Sequence, residues 1–276
     1  YFDQALERYL ADQEEYDRQL ETNPDLEREI VADMTRPINL YKEIITLFPE
    51  SDVTDGALYM MGFCLGDGRS KQQDQDKSVE YYKRLIQEHE DSPFVAQANY
   101  IAGEYYFDKS ENDKALEYFQ NAVDLSRPDE GEYDGLYEYS LYRLAWTHYR
   151  TNNFDTSLAL FTQLQDYSVR KEQATGQPVD AMEESLRYTA FSFIDIADQD
   201  GDLVLNVAKS YYDKNGDRPY ADQTFVALAD ILTQQKRNYE ANNLEHYTQV
   251  FTEKHGFISN LSVLVGASQT SVVPKY

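Results

Sequence analysis

The stretch YIAGEYYFDKSENDKALEYFQNA, from Tyr100 to Ala122, decides the fold. It aligns without a gap to YRLAWTHYRTNNFDTSLALFTQL, from Tyr142 to Leu164, so the same pattern returns 42 residues later. In each copy the apolar residues recur at intervals of three and four, which indicates amphipathic helices. The polar DKSEND in the middle predicts a turn. The chain is therefore built from a repeated helix-turn-helix unit.

Further copies lie upstream of this pair. YMMGFCLG (residues 59–66) matches the first half of the unit, and SVEYYKRLI (residues 78–86) matches the second half, with four extra residues in the turn between them. PINLYKEII (residues 37–45) is another second half. The repeat therefore begins well before Tyr100.

The downstream copies are more divergent. YTAFSFID (residues 188–195) fits the first half of the unit, and a fifth two-part unit spans residues 225–251. In that fifth unit the alignment leaves two registers open, because either Ala241 or Asn243 can take the place of Ala115.

These patterns predict an all-α chain with three parts. Residues 1–35 form an N-terminal helical cap, and residues 36–255 form the repeat array. Residues 256–276 form a C-terminal tail, which from residue 257 onward contains no acidic residue and is rich in Val and Ser. We expect this tail to pack against something, with self-association through residues 257–276 as one outcome.

The small and aromatic positions of the central unit resemble the tetratricopeptide repeat. Gly103 and Tyr106 occupy the family's positions in the first helix, and Ala115, Phe119 and Ala122 occupy those of the second. Small residues let the two helices approach, and aromatic residues fill the space between units. The resemblance implies an α-solenoid of about five tetratricopeptide-like repeats that forms a right-handed superhelix.

The units are longer than usual for that family and end in FPES and EDSP. In this they resemble tetratricopeptide proteins of the Gram-negative bacterial envelope. That resemblance implies a periplasmic or cell-envelope location, with the cytoplasm as the alternative.

Charge and hydropathy exclude several classes of partner. The net charge is −25, from 50 acidic and 25 basic residues, so nucleic acid and anionic membrane surfaces are repelled. No apolar run approaches the length of a membrane span, so we expect no direct membrane insertion. The acidity fits either a highly soluble surface or an acidic face for a basic partner.

The residues that usually carry chemistry form no constellation. None of the four histidines lies in a metal-binding or catalytic spacing, and phosphate-binding glycine motifs are absent from the sequence. Cys64, in an apolar stretch, predicts a core thiol. Asp198, Asp200 and Asp202 leave open a loose cation site, although a solvated turn is the simpler interpretation. We therefore predict no catalytic residue, no cofactor and no metal.

The resemblance also implies that the first helices of successive units line a concave groove. The predicted groove residues are Tyr59, Phe63, Tyr100, Glu104, Phe107, Tyr139, Tyr142, Trp146, Tyr149 and Tyr188. Two interpretations stay open, since a recurring Tyr can pack between repeats or can line a groove for an extended or helical peptide.

The sequence thus predicts a non-enzymatic scaffold or adaptor that binds other proteins through an aromatic, acidic groove, within a bacterial envelope assembly. One alternative is a structural subunit that self-assembles through its repeats and tail. The other is an accessory domain of an enzyme whose catalytic part lies elsewhere.

Overall fold

The computed structural model describes residues 1–23, 30–177, 181–216 and 218–255. These residues form twelve α-helices and no strand, and an isolated bridge joins Ala32 to Ser70. The all-α prediction is confirmed. The helices are α1 (Phe2–Thr22), α2 (Thr35–Leu47), α3 (Thr54–Gly66), α4 (Gln75–Glu88), α5 (Val95–Asp108), α6 (Asn112–Leu125), α7 (Gly135–Arg150), α8 (Phe154–Thr175), α9 (Met182–Asp200), α10 (Val204–Asn215), α11 (Ala221–Gln234) and α12 (Asn238–His255).

Within the described ranges, no helix has both the length and the apolar content that a bilayer crossing requires. The chain divides into two compact units, unit 1 from Tyr1 to Thr147 and unit 2 from His148 onward. The predicted tail, residues 256–276, lies outside the described residues. The division into cap, array and tail stays a prediction.

In unit 1 consecutive helices pack on one another, from α2 on α3 through α5 on α6. Helix α1 joins this stack through Phe2 and Ala5, which pack in a cluster with Met34, Ile38 and Cys64. Helices α4 and α6 are amphipathic and bury an apolar stripe against their neighbours, whereas α3 is apolar on nearly all sides and is buried between neighbouring helices. The core of unit 1 therefore runs along the stack.

Two glycines let the two helices of one repeat approach closely, as the repeat pattern predicts. A Cβ atom on Gly103 in α5 would lie 2.6 Å from Cδ1 of Phe119 in α6. A Cβ atom on Gly62 in α3 would lie 2.8 Å from the ring of Tyr82 in α4. Both distances are too short for a side chain, so each aromatic ring rests directly on the backbone of the preceding helix.

The extra residues between α3 and α4 hold the segment that precedes α2. The N–H of Ala32 donates to the carbonyl of Arg69 at 2.7 Å, and the N–H of Lys71 donates to the carbonyl of Ala32 at 2.9 Å. The side-chain oxygen of Gln72 accepts the N–H of Met34 at 2.8 Å. The insertion is therefore part of the packed structure at this end of unit 1.

Three turns inside repeats share one backbone geometry. A single non-glycine residue in each adopts the left-handed region: Ser110 (φ 61°), Asn152 (φ 60°) and Lys236 (φ 63°). In the first turn, the N–H of Glu111 donates to the carbonyl of Tyr106 at 2.9 Å, and equivalent bonds close the other two. Such bonds satisfy the last carbonyls of the first helix and reverse the chain into the second.

In unit 2, α9 packs against α8, α10 and α11, and α11 packs against α12. Its core contains Phe193, Phe225, Leu228 and Leu232, all fully buried. Because α9 packs on α10 and α11 packs on α12, the divergent downstream copies of the repeat are helical pairs like those upstream.

The structure also decides the register of the fifth repeat. The N–H of Ala241 donates to the carbonyl of Arg237 at 3.1 Å, as the N–H of Ala115 donates to the carbonyl of Glu111 at 3.1 Å. Ala241 is buried whereas Asn243 is only half-buried. Ala241 therefore takes the place of Ala115.

Candidate protein-binding site

Six of the ten predicted groove residues lie on two helices of unit 1. On α5, Tyr100, Glu104 and Phe107 follow one another at intervals of four and three, so they share one helix face. The stripe on α7 has intervals of three and four and consists of Tyr139, Tyr142 and Trp146. The structure brings the two stripes together.

Arg143 of α7 joins the stripes through an ion pair with Glu104 of α5. Its guanidinium carbon also lies 5.0 Å from the ring centroid of Phe107, within the range of a cation–π contact. Sequence analysis missed Arg143. Its position one turn after Tyr139 places it on the same stripe, but nothing in the sequence pairs it with Glu104, 39 residues away.

Aromatic packing surrounds this ion pair. The ring centroid of Phe107 lies 4.8 Å from that of Trp146 and 6.4 Å from that of Phe119. The ring of Tyr100 lies 6.0 Å from that of Phe119. Contacts thus join Tyr100, Glu104, Phe107, Arg143 and Trp146 into one cluster, and the stripe of α7 that carries Arg143 and Trp146 also carries Tyr139 and Tyr142.

Burial changes the electrostatics of the cluster. It raises the pKa of Glu104, against the opposing effect of the Arg143 guanidinium, and it raises the pKa of Tyr100 to about 12. At neutral pH the Tyr100 hydroxyl is therefore protonated and able to donate a hydrogen bond. The cluster therefore contains one ion pair, in which the charges of Glu104 and Arg143 compensate each other, and aromatic rings surround that pair.

Exposure differs sharply within the cluster. Phe107 is only 6% exposed and lies beneath the surface, whereas Tyr139 is 42% exposed. The other members are half-buried. We name the solvent-facing part the α5–α7 face. It consists of Tyr100, Glu104, Tyr139, Tyr142, Arg143 and Trp146.

The two predicted residues on α3 pack within unit 1. Tyr59 stacks on Phe94 with a centroid separation of 4.8 Å, and it meets Tyr82 edge-on at 5.6 Å. Burial raises the pKa of Tyr59. Phe63 meets Phe2 of α1 edge-on at 5.5 Å. Both side chains are half-buried, and they lie in contacts separate from the Glu104–Arg143 pair.

The remaining two predicted residues lie in unit 2. Tyr149 and Tyr188 contact each other at a centroid separation of 5.3 Å. The hydroxyl of Tyr149 donates to the Asp195 carboxylate at 2.7 Å, and the ring of Tyr188 stacks on Phe161 at 5.6 Å. Burial, followed by the bond to Asp195, raises the pKa of Tyr149.

Two of the three aspartates that the sequence offers as a cation site bind other side chains. Among the described residues, no group of three or more has the arrangement of a metal site. Asp198 binds Arg237 at 2.9 Å, and Asp202 accepts a hydrogen bond from Asn206 at 2.9 Å. Cys64 is buried, as the prediction of a core thiol required, and burial raises the pKa of its thiol to about 12.

Comparisons with known proteins agree with the repeat pattern. One family model described as tetratricopeptide repeat matches residues 94–166, and a second with the same description matches residues 57–92. Residues 57–92 and 94–166 therefore consist of tetratricopeptide repeats. The search of curated proteins gave no match.

Solved structures of similar architecture include BtubC from P. vanneervenii, with 15% identity and a TM-score of 0.48 over 88% of this chain and 96% of that one. YrrB, described as a TPR protein with an unusual peptide-binding site, has 11% identity and a TM-score of 0.44 over 80% of this chain and 96% of its own.

Proposed function

We propose that this tetratricopeptide repeat protein is a non-enzymatic scaffold that binds a protein segment through the α5–α7 face. The observation that carries the proposal is the exposed Tyr139 beside the half-buried Tyr142, Arg143 and Trp146 on one stripe of α7. Tyr and Trp provide large, rigid contact area at a low cost in side-chain entropy, and with Arg they dominate binding hot spots.

The half-buried ion pair within this face supports a binding role. Glu104 holds the guanidinium of Arg143 in place, so the aromatic rings around it rest on a fixed support. A surface that is ordered before binding loses less entropy when a partner arrives. The face therefore suits recognition of a segment of fixed conformation, either extended or helical.

Charge favours a basic segment. The chain has a net charge of −25, which attracts Lys and Arg at long range. The electron-rich faces of Tyr139, Tyr142 and Trp146 attract the same cations at short range. The proposed ligand is a peptide that combines apolar side chains with Lys or Arg.

The experiment selects ligands from a display library of random peptides and measures binding of the selected peptides by fluorescence anisotropy. Trp146 is the only tryptophan, so its intrinsic emission reports on this face. We expect the emission to shift when a selected peptide is added. Tyr139→Ala should weaken binding by about tenfold or more, the effect of a hot-spot residue.

Tyr239→Ala is the matched control, since Tyr239 is a still more exposed tyrosine on α12. Both variants should keep the far-UV circular dichroism of the wild type, because neither side chain is buried. Selected peptides that bind Tyr139→Ala as tightly as the wild type would refute the α5–α7 face as the binding site.

We further propose that the complex assembles in a bacterial cell envelope. The support is the resemblance of the long repeats, with their FPES and EDSP ends, to envelope tetratricopeptide proteins. Cell fractionation with an antibody against this chain tests the location. Recovery in the cytoplasmic fraction alone would contradict it.

A further inference from the structure

Helix α2 exposes an apolar stripe that no described element covers. Leu47 is 66% exposed and Phe48 is 60% exposed, and Leu40 lies two turns earlier on the same stripe with Ile44 between them. Val53, in the turn that leads to α3, is 58% exposed. We name these five residues the α2 face.

The turn keeps Val53 close to the end of α2. The carbonyl of Phe48 accepts the N–H of Ser51 at 3.0 Å and the hydroxyl of Thr54 at 2.6 Å. These two bonds fold the connection back onto the helix end. The exposed side chains of helix and turn therefore belong to one patch.

The fold does not require apolar residues at these positions. In the next repeat, the alignment places Glu88 at the position of Leu47 and His89 at the position of Phe48. Glu88 pairs there with Arg84 at 2.9 Å, as a solvated helix end does. Large apolar patches with polar rims mark interaction sites.

The rim of the α2 face is acidic. Glu43 lies one turn before Leu47, and Glu50 and Asp52 lie in the turn after the helix. All three side chains are exposed, and none forms an ion pair with another residue of the described ranges. Lys42 lies two residues from both Leu40 and Ile44, and residues two apart do not share a helix face. Its side chain is therefore on the opposite side of α2 from the apolar stripe.

We propose that the α2 face docks an amphipathic helix from a basic partner protein. The apolar stripe of that helix covers Leu47, Phe48 and Val53, while its flanking Lys or Arg side chains pair with the three rim acids. Two chains of charge −25 repel each other, so a second copy of this chain is disfavoured as the occupant. This site is separate from the α5–α7 face.

The test uses two synthetic helical peptides with the same leucine stripe, one flanked by Lys and the other by Glu, at physiological salt. Fluorescence anisotropy measures their binding to the intact chain. We expect the Lys peptide to bind at least tenfold more tightly than the Glu peptide. Leu47→Ser with Phe48→Ser should weaken binding of the Lys peptide at least tenfold.

Leu125→Ser is the matched control, since Leu125 occupies the corresponding position of α6 and is 55% exposed without the neighbouring apolar patch. The variants and their reference all carry Tyr139→Ala, so that the α5–α7 face does not contribute, and Leu125→Ser should bind the Lys peptide within twofold of that reference. If the double variant loses helicity, Val53→Ser tests the same face from outside the helix and should also weaken binding of the Lys peptide.

Four results would overturn the proposal. The first is equal binding of the two peptides, and the second is no binding of either peptide. The third is binding of the Lys peptide to the double variant as tight as to the reference. The fourth is that another occupant takes the face. Dimers in sedimentation analysis that the double variant abolishes would identify a second copy, and peptide binding only after deletion of residues 257–276 would identify the tail.

Discussion

The contact between Gly103 and Phe119 predicts a loss of stability from a substitution that would normally stabilise a helix. An added Cβ would lie 2.6 Å from Cδ1 and Cε1 of Phe119, whose fully buried ring also contacts Tyr100 and Phe107. Overpacking of this kind costs about 1–3 kcal/mol, and the confined ring places the cost in the upper half of that range. The gain in helix propensity offsets about 1 kcal/mol. We therefore expect Gly103→Ala to lower the free energy of unfolding by about 1–2 kcal/mol.

The matched control is Gly56→Ala in α3, where the added Cβ would lie 3.7 Å from Phe94, an ordinary van der Waals distance. That variant should be more stable than the wild type by up to about 1 kcal/mol, because only the propensity term applies. Urea unfolding followed by circular dichroism measures both variants, with unchanged slopes as the check on cooperativity. Equal or greater stability of Gly103→Ala would refute the close approach of α5 and α6.

Two further predictions concern a strained turn and a charged one. Lys236 has a φ of 63°, in the left-handed region, which costs a residue with a side chain about 1–2 kcal/mol. Lys236→Gly should therefore unfold at a higher urea concentration than Lys236→Ala. Equal unfolding midpoints of the two variants would contradict the turn geometry. Asp67 accepts hydrogen bonds from the Arg69 side chain at 2.6 and 2.9 Å, which hold its pKa below the usual 3.8. Since this pKa is lower in the folded state, the stabilisation is present above the unfolded value and is lost as pH falls through the folded one. Asp67→Asn should therefore cost about 1 kcal/mol at pH 7 and progressively less below pH 4 in urea titrations, and a pH-independent difference would contradict the pairing.

The repeat and its small residues could be predicted because they are local properties of the sequence. Gly103 stands at a fixed distance along the chain from Phe119, the ring that it contacts, so one alignment was enough to infer close helix packing. The register of the divergent fifth repeat was not decided in this way. Ala241 and Asn243 both fit the helical spacing, and only the backbone bond to Arg237 and the burial of Ala241 distinguish them.

The candidate site, too, could be predicted from the sequence only in part. The spacing of Tyr139, Tyr142 and Trp146 predicts a shared helix face, but it assigns no partner to that face. The pairing of Glu104 with Arg143 joins residues 39 positions apart and depends on how α5 and α7 pack. The burial of Phe107 beneath Trp146 depends on the same packing.

The sequence by itself thus determined that the chain is acidic and helical and that its central part carries tetratricopeptide repeats, because helical periodicity and repeat spacing are properties of neighbouring residues. Only the tertiary structure decided which aromatic side chains remain at the surface. It also decided that the stripe of Leu47 and Phe48 has no covering helix among the described elements. Exposure depends on every element that packs nearby, and those elements are distant in sequence.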